Sequence, residues 1–167
     1  MAILVLGLGN DLYGDDGVGL RVVGRLKQDL ANSGASLNQP RDVDYSECCL
    51  SGLSLLDVIV GYDALIIVDT IKKPYPQTGR VHILEGKDLR AIPGPSPHYV
   101  SVPQTLEIGR RAGLQVPTKV KVIAVEAKNT YTLGEGLTEE MEKRVPAIME
   151  KVKEVLDSLK REAELSK

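Results

Sequence analysis

A chain of 167 residues, 43% of them apolar, has the size of one domain and can bury a substantial core, which must be aliphatic because Trp and Phe are absent. The formal charge is only -2, with no long basic run, so electrostatics give no reason to expect nucleic acid or an anionic membrane surface as a partner. No run approaches the roughly 18 to 20 apolar residues that a membrane-spanning helix needs, which excludes membrane insertion by that route.

The two cysteines, Cys48 and Cys49, are adjacent. They have no CxxC spacing and no second pair to complete a zinc site or a disulfide framework, and a reduced cytosol suits them. The apolar N-terminus lacks a basic leader and runs directly into glycines and aspartates, unlike a signal peptide. The expectation is a single domain over 1–167, soluble and cytoplasmic.

Ile3 to Leu6 is a continuous run of branched apolar residues without polar alternation, which predicts an inner parallel strand covered on both faces. Gly7, Gly9, Asn10 and Asp11 follow as a sharp turn. Asp15 and Asp16 then precede an apolar pattern of helical spacing at Val18, Val22, Val23, Leu26 and Leu30, where carboxylates favour a helix start. The helix should run from about Gly17 to Ala31 and end in the polar segment closed by Pro40. Val43 to Glu47 reads as a short strand and Gly52 to Val60 as a short helix.

Ala64 to Val68 is the second clear buried strand, and it delivers Asp69 at its end. The proline-rich segment 72–79 is a turn, and Arg80 to Glu85 alternates like an edge strand. Three prolines between Ile92 and His98 predict a stiff loop with His98 at its end. A helix from Ser101 to Ala112 and a strand from Lys119 to Val125 follow. Thr138 is an N-cap for the last helix, whose buried face is Met141, Val145, Ile148, Val152, Val155 and Leu159 and which Pro146 should kink or divide. Alternating strands and helices define an α/β three-layer domain with a mainly parallel sheet, and its ligand site belongs beyond the carboxyl ends of the strands.

A glycine turn between strand and helix first suggests phosphate binding. The dinucleotide fingerprint fails, because Leu12 stands where the third glycine belongs, and no Walker lysine follows. Two carboxylates at the helix start would also repel a phosphate. Asp16, Asp69 and His98 instead supply two oxygens and one imidazole, a credible set for a divalent transition metal with positions left open. Each has a plainer role available: Asp16 as a helix cap, Asp69 as a turn residue, His98 as an anchor of its loop. His82, in mid-strand, is expected to pack or face solvent. No HExxH, GxSxG or cysteine–histidine protease motif is present.

GLGNDLYGDDGVG, LIIVDT, SPH and EGLT, in this order over nearly the whole chain, resemble the hydrogenase maturation endopeptidases. That family trims the C-terminal tail from the large subunit of nickel-iron hydrogenases. The resemblance implies a metal-dependent endopeptidase whose metal-facing and catalytic residues fall on Asp16, Asp69 and His98. It implies nickel supplied by the substrate, no organic cofactor, and the precursor of the large subunit as partner. The implied fold is a mixed, mainly parallel five-stranded sheet between helices, of the phosphorylase/hydrolase-like kind. Glu126 matches a family glutamate near the last strand. Where the family often carries an acid, two glycines and a threonine after the second strand, this chain has Glu47, Cys48, Cys49 and Leu50. The alternatives are a non-catalytic, metal-sensing docking chaperone for the same subunit, and a small-molecule hydrolase or nucleotide binder sharing only the fold.

Overall fold

The computed structural model describes residues 1–33, 42–85, 88, 97–134 and 136–165, with the side chains of residues 97–101 outside that description. Strands β1 (Ile3–Leu8), β2 (Val43–Cys48), β3 (Ala64–Ile71), β4 (Val81–Glu85) and β5 (Lys119–Glu126) form one sheet in the order β2-β1-β3-β5-β4. β2, β1, β3 and β5 are parallel, and β4 pairs antiparallel with β5 at the edge. This is the mixed, mainly parallel sheet expected from the sequence, and Ile3 to Leu8 lies inside it, buried throughout.

Helices cover both faces. Against one face, α1 (Val18–Asn32) and α5 (Val145–Glu164) bring Val22, Val23, Ile148 and Val152 onto Val5, Ile66, Val68 and Ile123. On the other face, α2 (Leu56–Ile59) and α3 (Pro97–Arg111) contribute Ile59, Val102 and Leu106 over Leu4, Leu6, Leu65 and Val122. Each such aliphatic side chain, fully buried, contributes on the order of 1.5–3 kcal/mol, and the partly buried Tyr45 and Tyr62 pack against the two layers. Gly7 extends β1 instead of opening the turn. A Cβ there would collide with the carbonyl of Gly19, and one on Gly19 would collide with the carbonyls of Leu8 and Val68. The two glycines let α1 sit close on the sheet and fix where the acids at its start emerge.

The start of the third helix differs from the sequence reading. α3 begins at Pro97, so His98 belongs to its first turn and not to a preceding loop. Proline is well suited to a first helical position, because its missing N–H would lack an intrahelical partner there anyway. Pro103 stays inside the same helix, where it forgoes one backbone bond. The expected stiff loop at 92–96 lies outside the described residues. At the C-terminus the division expected from Pro146 is present. α4 (Glu139–Glu142) is capped by Thr138, whose side chain accepts from the Met141 amide, and α5 restarts at Val145 with Pro146 in its first turn. No helix among the described residues is long and apolar enough to cross a membrane.

Candidate active site at the carboxyl edge of the sheet

β1, β3 and β5 run in parallel and release their loops at one edge, where the sequence places its acids. After Leu8 the chain turns at Gly9, whose φ of 147° is open to glycine and whose Cα lies against the Asp16 carbonyl with no room for a side chain. Asn10 closes the loop, its Oδ1 accepting from the Leu12 amide at 3.0 Å. The chain returns through a 3-10 turn, Gly14–Gly17, that carries both aspartates into α1.

The two neighbours have separate roles, and neither carboxylate caps α1, contrary to the expectation from their position. Asp15 is buried and accepts from the Thr138 amide at 2.8 Å and the Thr138 hydroxyl at 3.1 Å. It therefore fastens the first loop to the start of α4. Half-buried Asp16 accepts from the Asn10 amide on Oδ2 at 3.0 Å and from the Thr70 hydroxyl on Oδ1 at 2.8 Å.

Thr70 also connects the second acid. Its amide donates to Asp69 Oδ1 at 2.7 Å, so a single threonine touches both carboxylates. Asp69 is not a turn residue. It lies within β3, fully buried, in register with Ala124 of β5. Strand alternation puts it on the face of Leu65 and Ile67, the face that α3 covers, whereas Thr70 and Asp16 belong to the α1 side. His98 stands in the first turn of α3, and its side chain lies outside the described residues. Among the described residues, no three His, Cys, Asp or Glu side chains form a group able to hold a metal ion. The structure thus joins Asp16 and Asp69 and places the His98 backbone on the helix over Asp69's face.

Sequence reasoning gave Thr70 no role, although it closes the LIIVDT segment. It also missed the pairing of His82 with Glu126. His82 does not merely pack or face water: its Nε2 lies 2.6 Å from Glu126 Oε1, while Glu126 Oε2 accepts from the Gln77 amide at 2.7 Å. Burial pushes the Glu126 carboxyl upward in pKa, but the Gln77 amide, His82 and Arg80 together outweigh it and hold the group below the ordinary glutamate range. His82 is opposite Ala124, and Ala124 is opposite Asp69, so Asp69 and His82 occupy one row, about 10 Å apart by two strand spacings. The hint in the sequence was an alternating strand carrying a histidine and a strand ending in glutamate; their register was not readable.

At the end of β2, Cys48 is buried and accepts from the Leu50 amide through Sγ at 3.3 Å, whereas Cys49 is exposed. Partial burial and then the negative charges of Asp11, Cys48 and Asp16 raise the pKa of the Cys49 thiol, which marks Cys49 as a neighbour of the acids. Glu47 is exposed, 3.7 Å from Lys27 Nζ, and lies so close over Gly24 that a Cβ there would meet its Oε1.

The fold and this edge define an α/β protein whose candidate site combines acids from the first loop and the third strand. The family model for HycI, hydrogenase maturation protease, matches residues 20–155, and the chain belongs to that family. The hydrogenase 2 maturation protease of Escherichia coli is 30% identical over 156 residues, which cover 91% of this chain and 88% of that protein. The solved structure of the hydrogenase maturating endopeptidase HybD from E. coli superposes with a TM-score of 0.77 at 29% identity, covering 95% of this chain and 93% of that one. The [NiFe] hydrogenase maturation protease HybD from Thermococcus kodakarensis has the same fold, with a TM-score of 0.64 at 24% identity over 93% of this chain and 99% of that one.

Proposed function

We propose that this chain is a cytoplasmic endopeptidase that removes the C-terminal extension from a nickel-loaded precursor of a nickel-iron hydrogenase large subunit, with Asp16, Asp69 and His98 facing the substrate's nickel. The observation that carries this reading is the hydrogen-bonded arrangement Asp16–Thr70–Asp69, which joins acids from two segments far apart in the chain at the open edge of the sheet. Asp16 is held by a backbone amide and a hydroxyl, both neutral donors, so its negative charge remains available to an incoming cation. Oxygen and imidazole donors suit a divalent transition metal. Such a metal can polarise a carbonyl or activate a water, and either route leads to hydrolysis of a nearby peptide bond. The chain's own residues would orient the metal-bearing segment against this edge.

The test is the mass of a cognate precursor after incubation with the protein, with and without nickel in the precursor. Loss of a C-terminal fragment from the nickel-loaded form alone is expected. Binding without any change in mass would replace the protease with a docking chaperone. His98→Ala is expected to keep the thermal midpoint of the parent and lose processing; an unfolded variant would make the residue structural.

A further inference from the structure

The loops at the carboxyl edge hold an unusual amount of apolar side chain in water. Leu12, Leu50, Leu53, Tyr75, Tyr131 and Leu133 are between 43% and 93% exposed. Single exposed leucines are ordinary, but these belong to every loop that leaves this edge: after β1, after β2, after β3 and after β5.

Leu12, Leu133 and Tyr131 form one group and Leu50 and Leu53 a second, with Tyr75 on the loop after β3. In the first, the Leu12 carbonyl accepts from the Gly134 amide at 3.1 Å, and the Gly134 carbonyl accepts from the Gly14 amide at 3.1 Å, so Leu12 and Leu133 sit on loops bonded to each other. Lys72, just past the end of β3, places Nζ 4.5 Å from the centre of the Tyr131 ring and joins that loop to the same group. In the second, Leu50 and Leu53 follow Cys48, which is in register with Leu8 at the end of β1. Asp16 accepts from the Asn10 amide, two residues before Leu12 and two after Leu8, so the acid adjoins the loop that carries the first group and the strand end that pairs with Cys48.

We propose that this apolar rim seats the folded body of the large-subunit precursor, so that recognition extends well beyond the tail to be cut. This inference rests on the protease reading above. Exposed apolar residues clustered around a functional edge, tyrosines among them, are the ordinary composition of a protein-binding surface. The rim is continuous with the acids to which the scissile bond must be delivered, which selects the occupant. A second copy of this chain seated there would cover Asp16 and shut the substrate out.

The experiment compares the parent with Leu12→Ser/Leu133→Ser and with Leu50→Ser/Leu53→Ser, using Leu114→Ser, an exposed apolar residue in the loop before β5, as control. Processing of nickel-loaded precursor is followed against precursor concentration, and precursor binding is measured separately by calorimetry. KM is expected to rise about tenfold or more in both rim variants with kcat unchanged, the scale of losing one interface anchor, while the control matches the parent. A KM and Kd within twofold of the parent in both rim variants would overturn the proposal. Rim variants that abolish self-association in sedimentation without weakening precursor binding would overturn it too. If the parent binds the precursor but never cuts it, and the rim variants bind more weakly, the rim stands and the protease reading falls. If the parent neither binds nor cuts, both fall.

Discussion

Two clusters built on buried carboxylates sit at the same edge of one sheet, and their hydrogen-bond donors set them apart. Glu126 is surrounded by a backbone amide and by His82, a side chain able to carry the compensating charge, and both its oxygens are engaged. It closes the turn between β3 and β4 onto the end of β5, since the Gly79 amide also donates to the Glu126 carbonyl at 2.8 Å. Asp16 and Asp69 are linked through Thr70, whose hydroxyl and amide orient the two carboxylates without supplying charge to them. Burial of an acid therefore does not by itself identify the site here. A carboxylate paired with histidine can serve the fold alone, whereas the proposed function would have the two acids that Thr70 links meet a cation that arrives from outside.

The strongest way to break that comparison is Asp69→Asn, which keeps the shape and an oxygen for the Thr70 amide but removes the charge. Processing of nickel-loaded precursor should fall by more than about a hundredfold, beyond the 10- to 100-fold typical of a residue that only supports a ligand. Mass spectrometry of the precursor gives the rate, and a thermal midpoint near that of the parent separates this from unfolding. Thr70→Val should come next, at roughly 10- to 100-fold, because it deletes the hydroxyl on Asp16 while leaving the backbone amide on Asp69. Stability should drop by only about 0.5–1.5 kcal/mol in that variant, the net value of one hydrogen bond. If Thr70→Val processes at the parental rate, the two acids do not act as one unit.

How much of this was legible follows from which interactions are local. β1, α1, β3 and the division of the last helix were readable because apolar runs, helical spacing and proline act within a few residues of themselves. The edge position of β4 was readable from its alternation. Asp16 and Asp69 could be singled out from the loops and strand ends that carry them. Their link through Thr70 spans 54 positions and depends on the register of β1 with β3, which no local pattern encodes. The same holds for His82 and Glu126, 44 positions apart on antiparallel strands. Asp15 and Asp16 look alike in sequence as helix starters, and only the arrival of Thr138, 123 positions later, turns the first into an anchor. The start of α3 is hidden in the sequence because a run of prolines reads as loop, whereas Pro97 at the first helical position is compatible with helix.

The finest test concerns what charge does at Glu126. Its carboxyl titrates below the ordinary range in the folded chain, so the charged form stabilises the fold at neutral pH. That contribution is complete above the unfolded value, near 4.3 for glutamate, and disappears as pH falls through the lower folded value. Glu126→Gln keeps the volume and removes the charge that faces His82. It should cost roughly 1–3 kcal/mol in denaturant unfolding at pH 7, as expected when a buried charge-assisted bond is lost. The gap from the parent should begin to narrow as pH drops below the unfolded value, near 4.3, and close only below the lower folded value of the parent's own glutamate. A gap of equal size at pH 7 and pH 3 would assign the loss to shape instead of charge. Processing by the folded variant should stay within a few-fold of the parent; a collapse of kcat at unchanged stability would move His82 and Glu126 out of the scaffold and into the site, along the row that Asp69 shares with His82.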